Sequence, residues 1–109
     1  EYLFFAVGIE HPDAQKFFVR YDATRKLQKL VAKGVGDYKL RPLMIERVKQ
    51  KFFDMRYVDF PIPIGLTVFR DRIIMIDWGE KPVGILIHSK QIADNYRRLF
   101  YDIWNKGKK

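Results

Sequence analysis

Apolar and polar positions alternate along this chain with two different periods. Residues 2–9 (YLFFAVGI) form a continuous apolar run rich in β-formers, the pattern of a strand buried on both faces. His11-Pro12-Asp13 breaks the run. Across residues 14–33, Phe17, Phe18, Tyr21, Leu27, Leu30 and Val31 recur at roughly helical spacing, with Lys and Arg on much of the other side. Gly34 reads as the helix stop, since glycine takes positive φ without steric cost, and Gly34-Val35-Gly36-Asp37 reads as a short loop. Residues 38–45 (YKLRPLMI) then read as a second strand, with Pro42 favouring an edge or a strand end. A strand, a helix and a strand in that order predict a parallel crossover.

Residues 46–53 fit one or two helical turns, and 55–60 (MRYVDF) alternate as a strand closed by Pro61 and Pro63. Residues 64–69 and 72–78 flank Arg70-Asp71, a two-residue hairpin connection. After a turn through Gly79 and Pro82 comes a third apolar strand of this region, 83–88 (VGILIH). Ser89 is placed to cap a helix over 90–106, its hydroxyl available to an N–H of the first turn. Ile92, Tyr96, Leu99, Phe100, Ile103 and Trp104 form one stripe of that helix. The expected fold is therefore α/β: a mixed sheet of about five to six strands with two main helices, 14–33 and 90–106, packed on it.

The length of 109 residues allows one domain and one modest core. A chain that opens inside its first strand reads as a single domain, 1–109, cut from a longer protein. The net charge of +8 points to an anionic partner, yet the basic residues are scattered between apolar positions as on a solvated face; only Lys106-Gly107-Lys108-Lys109 forms a run. Absence of cysteine excludes a disulfide scaffold and any Cys-based zinc site. The run 62–76 is cut by Arg70, Asp71 and Arg72, so no segment reaches the roughly 18 apolar residues of a membrane span. A cytoplasmic location is the expectation.

Few residues invite chemistry. His88-Ser89-Lys90 approaches the His-x-Lys-x4-Asp motif of phospholipase D-type phosphodiesterases, but Asn95 stands where the motif needs Asp, and Asp94 is one place early. A strand-end histidine beside a helix cap accounts for the same triplet. His11 and His88 have no local carboxylate pattern to complete a metal site. Asp77 beside Trp78 is the most interesting carboxylate, although a turn aspartate explains it as well. No nucleophile elbow, phosphate-binding glycine loop, helix-turn-helix or RNA-recognition motif is present. No catalytic residue, metal or cofactor is expected, and the chain is not expected to be an enzyme.

The run from Phe60-Pro61-Ile62-Pro63-Ile64, through Asp71-Arg72-Ile73-Ile74-Met75-Ile76 and Lys81-Pro82-Val83-Gly84-Ile85-Leu86-Ile87-His88, resembles the C-terminal part of TrmB-like archaeal transcriptional regulators. Ser89-Lys90-Gln91-Ile92-Ala93 matches the family's helix start, Phe100-Tyr101-Asp102-Ile103-Trp104 its close, and Met55-Arg56-Tyr57 its (I/M)-R-Y strand. The similarity covers the last half well and residues 2–45 loosely. It implies a phospholipase D-like regulatory domain without the catalytic motif, in proteins whose winged helix binds DNA. Here that winged helix would lie outside the chain. The implied role is effector sensing or dimerisation: a homodimer with a possible small-molecule effector and no membrane partner. Arg41, Arg56, Trp78 and His88 are the candidate ligand edge, because open α/β sheets bind at strand ends. Two other readings stay open: a small phosphodiesterase using His88 and Lys90, and a stand-alone basic nucleic-acid binder.

Overall fold

A computed structural model describes residues 1–6, 20, 23–63, 65–77 and 79–109. Among these, the strands are β1 (Tyr2–Phe5), β2 (Ala32–Asp37), β3 (Phe53–Val58), β4 (Leu66–Phe69), β5 (Arg72–Asp77) and β6 (Val83–His88). They form one sheet in the order β3-β2-β1-β4-β5-β6. β1, β2 and β3 are mutually parallel, while β4, β5 and β6 join as antiparallel neighbours. The expected mixed α/β sheet is what forms.

Alternation decides which side chains meet which layer. Leu3, Phe5, Val35, Val58, Leu66, Val68 and Ile73 are buried on one face, under a long helix, α2 (Lys90–Lys106). That helix contributes Ala93, Phe100, Ile103 and Trp104, with the Phe100 ring edge-on to Phe5 at 5.7 Å. Ser89 caps it as its sequence position foretold: its Oγ accepts from Ile92 N at 3.2 Å. The hairpin also forms as read, with Phe69 opposite Arg72 and a positive φ of 54° at Arg70, the sign that primed turns demand.

The opposite face carries a second core of Ala6, Ala32, Met44, Phe53, Met55 and Tyr57. It is closed by a 3-10 helix (Tyr38–Met44) running into a short helix, α1 (Ile45–Val48). Here the sequence reading needs correcting at three joints. The helix expected to reach residue 33 ends near residue 27, of which residues 20 and 23–27 are described as helical. Its stop is Lys29 at φ 55°, not Gly34: Lys29 N donates to Lys26 O and Leu30 N to Arg25 O, the paired bonds of a Schellman ending. Residues 32–37, read as helix end and loop, are instead β2. Gly34 is there because any side chain would collide: a Cβ would sit 2.3 Å from Phe4 Cζ and 2.4 Å from Met55 Sδ. Residues 38–45, read as a strand, are helical because Asp37 caps them through a 2.8 Å bond from Lys39 N to Oδ1. Pro42, read as a strand-edge residue, lies inside that 3-10 helix. The expected strand over residues 7–9 and helix over 14–19 lie outside the described residues.

Candidate functional site

The structure does not bring Arg41, Arg56 and His88 together. Arg56 is on β3 and His88 at the end of β6, the two opposite edges of the sheet. Arg41 lies on the 3-10 helix, where it bears on Tyr57, and residues 56 and 57 point to opposite faces of β3. Trp78 and His11 lie outside the described residues. Arg56 has work of its own on the α2 face. Its guanidinium stacks 4.4 Å from the Trp104 ring centre and donates to Trp104 O at 2.9 Å. A cation placed on the last carbonyls of α2 complements the negative end of the helix.

His88-Ser89-Lys90 likewise resolves into separate tasks. His88 closes β6, exposed and in register with Arg72; Ser89 caps α2; Lys90 pairs with Asp94 at 3.3 Å. Among the described residues no three His, Asp or Glu side chains cluster as metal ligands. Asp77 is exposed at the end of β5.

The two sheet edges are finished differently. Along β3, Tyr57 N donates to Lys108 O at 2.7 Å and Lys108 N returns a bond to Tyr57 O at 3.0 Å. The segment after α2 thus occupies part of that edge. β6 has no strand beyond it among the described residues. It is apolar nonetheless: Val83, Ile85 and Leu86 are 55%, 52% and 64% exposed. α2 packs across β1 to β5; on that side of β6 Ile87 still reaches the core, while Val83 and Ile85 are left more than half exposed. Natural edges are usually protected by charge, proline or a bulge, and within β6 only His88 is polar.

The start of the chain is tied down electrostatically. Glu1 hydrogen-bonds Tyr101 Oη and stands 3.5 Å from Lys33 Nζ. Partial burial works against the Glu1 charge, but the Tyr101 hydrogen bond and the Lys33 ammonium outweigh it and hold its carboxyl below the ordinary range. Lys33 is pushed up: burial opposes its charge, and Tyr101 and Glu1 together prevail. Burial raises the Tyr101 phenol, helped by its bond to Glu1. Burial also raises Tyr57, partly offset by Arg41.

One organising residue gave no signal in the sequence. Arg25, only 1% exposed, donates from Nη1 to the carbonyls of Leu30 (3.0 Å), Lys51 (3.4 Å) and Phe52 (2.8 Å). Its Nη2 is 3.4 Å from Gln50 Oε1, and its guanidinium lies 5.6 Å from the Phe53 ring centre. It ties the end of the helical segment to the loop before β3. In sequence it was one more basic residue on a helix.

These features define an α/β domain with a half-parallel sheet, one open apolar edge and a helix closing one face. No protein-family model matches the chain, and no curated protein matches it by sequence. Among solved structures the chain is similar to TrmBL2, an archaeal chromatin protein whose structure shows a novel mode of DNA binding. The TM-score is 0.67 at 13% identity, over 99% of this chain and 45% of that one. The likeness is one of fold, and the chain spans less than half the length of TrmBL2. Among the described residues no helix is long and apolar enough to cross a membrane.

Proposed function

We propose that the chain is a non-catalytic regulatory domain, TrmB-like with a phospholipase D-like lineage, that dimerises through β6 within a longer DNA-associated protein. The observation that carries the reading is the bare apolar edge of β6. Support for the DNA association comes from the fold shared with TrmBL2 over nearly the whole chain. Dimerisation is favoured over effector sensing, because Arg41, Arg56 and His88 lie apart.

The alternation of β6 suits a copy of itself. Val83, Ile85 and Ile87 share the α2 face, since they pair with Asp77, Met75 and Ile73 of β5. An antiparallel pairing about a two-fold axis through Ile85 sets Val83 of one copy opposite Ile87 of the other, and Ile85 opposite itself. Every contact on that face is then between β-branched side chains, each pair contributing about 0.2–1 kcal/mol. Gly84 faces Leu86 on the other side, where two large residues would not be forced together. Two six-stranded sheets become one of twelve, and winged helices carried elsewhere in that longer protein would be held at a fixed spacing.

Analytical ultracentrifugation tests the reading. The native chain sediments as a dimer at micromolar concentration, and Ile85→Lys sediments as a monomer with unchanged circular dichroism. A native chain that stays monomeric, or an Ile85→Lys variant that still dimerises, refutes the β6 interface.

A further inference from the structure

We infer that the two loops clamped by Arg25 form a contact surface for the phosphate backbone of duplex DNA. This deepens the DNA-associated reading by assigning a surface on this domain, and it uses none of the residues of β6. One Arg25 nitrogen binds carbonyls from both loops, so no two of those oxygens can be further apart than the sum of two hydrogen-bond lengths. The end of the helical segment and its turn, which carry Lys26 and Lys29, therefore lie beside the loop that carries Lys49 and Lys51.

All four lysines are exposed, and Lys26, Lys29 and Lys51 make no ion pair among the described residues. Lys49 is 3.3 Å from Glu46, but both side chains are largely in solvent, so that pair is weak and yields to phosphate. Among the described residues, the nearby carboxylates of Glu1 and Asp54 are engaged by Tyr101 and Lys33, and by Lys109 at 3.7 Å. The exposed charge of the two loops is accordingly positive.

The loops are also held in shape. Phe52 sits at φ 62°, unfavourable for a bulky residue by about 1–3 kcal/mol, and it persists only where the surroundings impose it. They do: Phe52 O accepts from both Arg25 Nη1 at 2.8 Å and Ala32 N at 2.7 Å. A buried cation thus fixes the backbone from which exposed cations extend. Lysines act as point charges toward phosphate and carry no sequence information. Phe52 is the only exposed aromatic ring on these loops, too few for the successive stacking of a single-strand binder.

The test is fluorescence anisotropy of a labelled duplex of about twenty base pairs, with this 109-residue chain at several salt concentrations. One variant replaces Lys26, Lys29, Lys49 and Lys51 by Ser; a second, of equal charge, replaces Lys81, Lys90, Lys106 and Lys108 by Ser and so leaves the Lys109–Asp54 pair in place. For four phosphate contacts the native log–log salt slope is about −3 to −4, or about a hundred-fold loss between 50 and 200 mM salt. The loop variant binds at least about ten-fold more weakly than the second variant and loses most of that slope. Equal loss in both variants would mean net charge alone acts and overturns the assignment. So does retained binding in the loop variant, or preference for a single-stranded RNA of the same length. Sedimentation of the loop variant as a dimer separates this outcome from that for β6.

Discussion

Replacing Arg25 by Leu removes a buried cation and the clamp between two loops with one change. Two of its hydrogen bonds are short, to Leu30 O at 3.0 Å and Phe52 O at 2.8 Å; the contacts at 3.4 Å to Lys51 O and Gln50 Oε1 are weak. Bonds from charged donors contribute about 1.5–3 kcal/mol each. Against this, leucine no longer has to bury a guanidinium, and Phe52 O keeps its bond from Ala32 N at 2.7 Å. The expected net loss is about 2–4 kcal/mol, a large part of the stability of a domain this size. In urea, with m of about 1–3 kcal/mol/M, the midpoint falls by roughly 1–2 M at unchanged m. Arg25→Lys keeps the charge but loses the fork, and lies between the two. Hydrogen exchange locates the effect: the Ala32 amide, bonded to Phe52 O, loses protection beyond the global change. A midpoint shift equivalent to less than about 1 kcal/mol would refute the clamp, because a merely space-filling side chain would then suffice.

Two further outcomes follow from the same geometry. Gly34→Ala sets a methyl group against Phe4 Cζ and Met55 Sδ and costs about 1–3 kcal/mol by overpacking; adding Phe4→Leu recovers part of it, and a double-mutant cycle without coupling would reject the clash. For pH, the Glu1 carboxyl is lowered from 4.5, so its contribution is present above that value and is lost as pH falls through its folded value. Lys33 is raised from 10.5 and Tyr57 and Tyr101 from 10.0, so their contributions are present below those values and are lost as pH rises through the folded ones. The melting temperature therefore stays level from about pH 5 to 9 and falls on both sides. Tyr101→Phe blunts both flanks, and flanks identical to the native protein's would contradict the assignment.

Legibility varied along the chain in a way the physics explains. The hairpin, the cap at Ser89 and helix α2 were readable because their signals are local: a two-residue turn, a hydroxyl before a helix, a stripe of fixed period. Residues 28–45 misled because glycine carries two meanings. Gly34 resembled a helix stop, yet it stands where the rings and sulfur of neighbouring strands leave no room for a Cβ. The true stop, Lys29, has no sequence mark. Asp37 was a legible helix cap that the apolar character of YKLRPLMI obscured. Arg41, Arg56 and His88 came apart for a different reason. Strand order cannot be read from strand sequence, so residues at similar strand ends landed on opposite edges and faces.

By itself the sequence determined the class of fold, through the alternation of strand and helix periods, and the place of each helix cap and turn in the second half. Only the tertiary structure decided that β6, whose VGILIH reads like any buried strand, is the uncovered edge, and that Arg25 is buried between loops while its neighbouring lysines face outward. The reason is physical. Local propensity acts between residues a turn apart, whereas burial and edge position depend on which distant strand or loop arrives alongside.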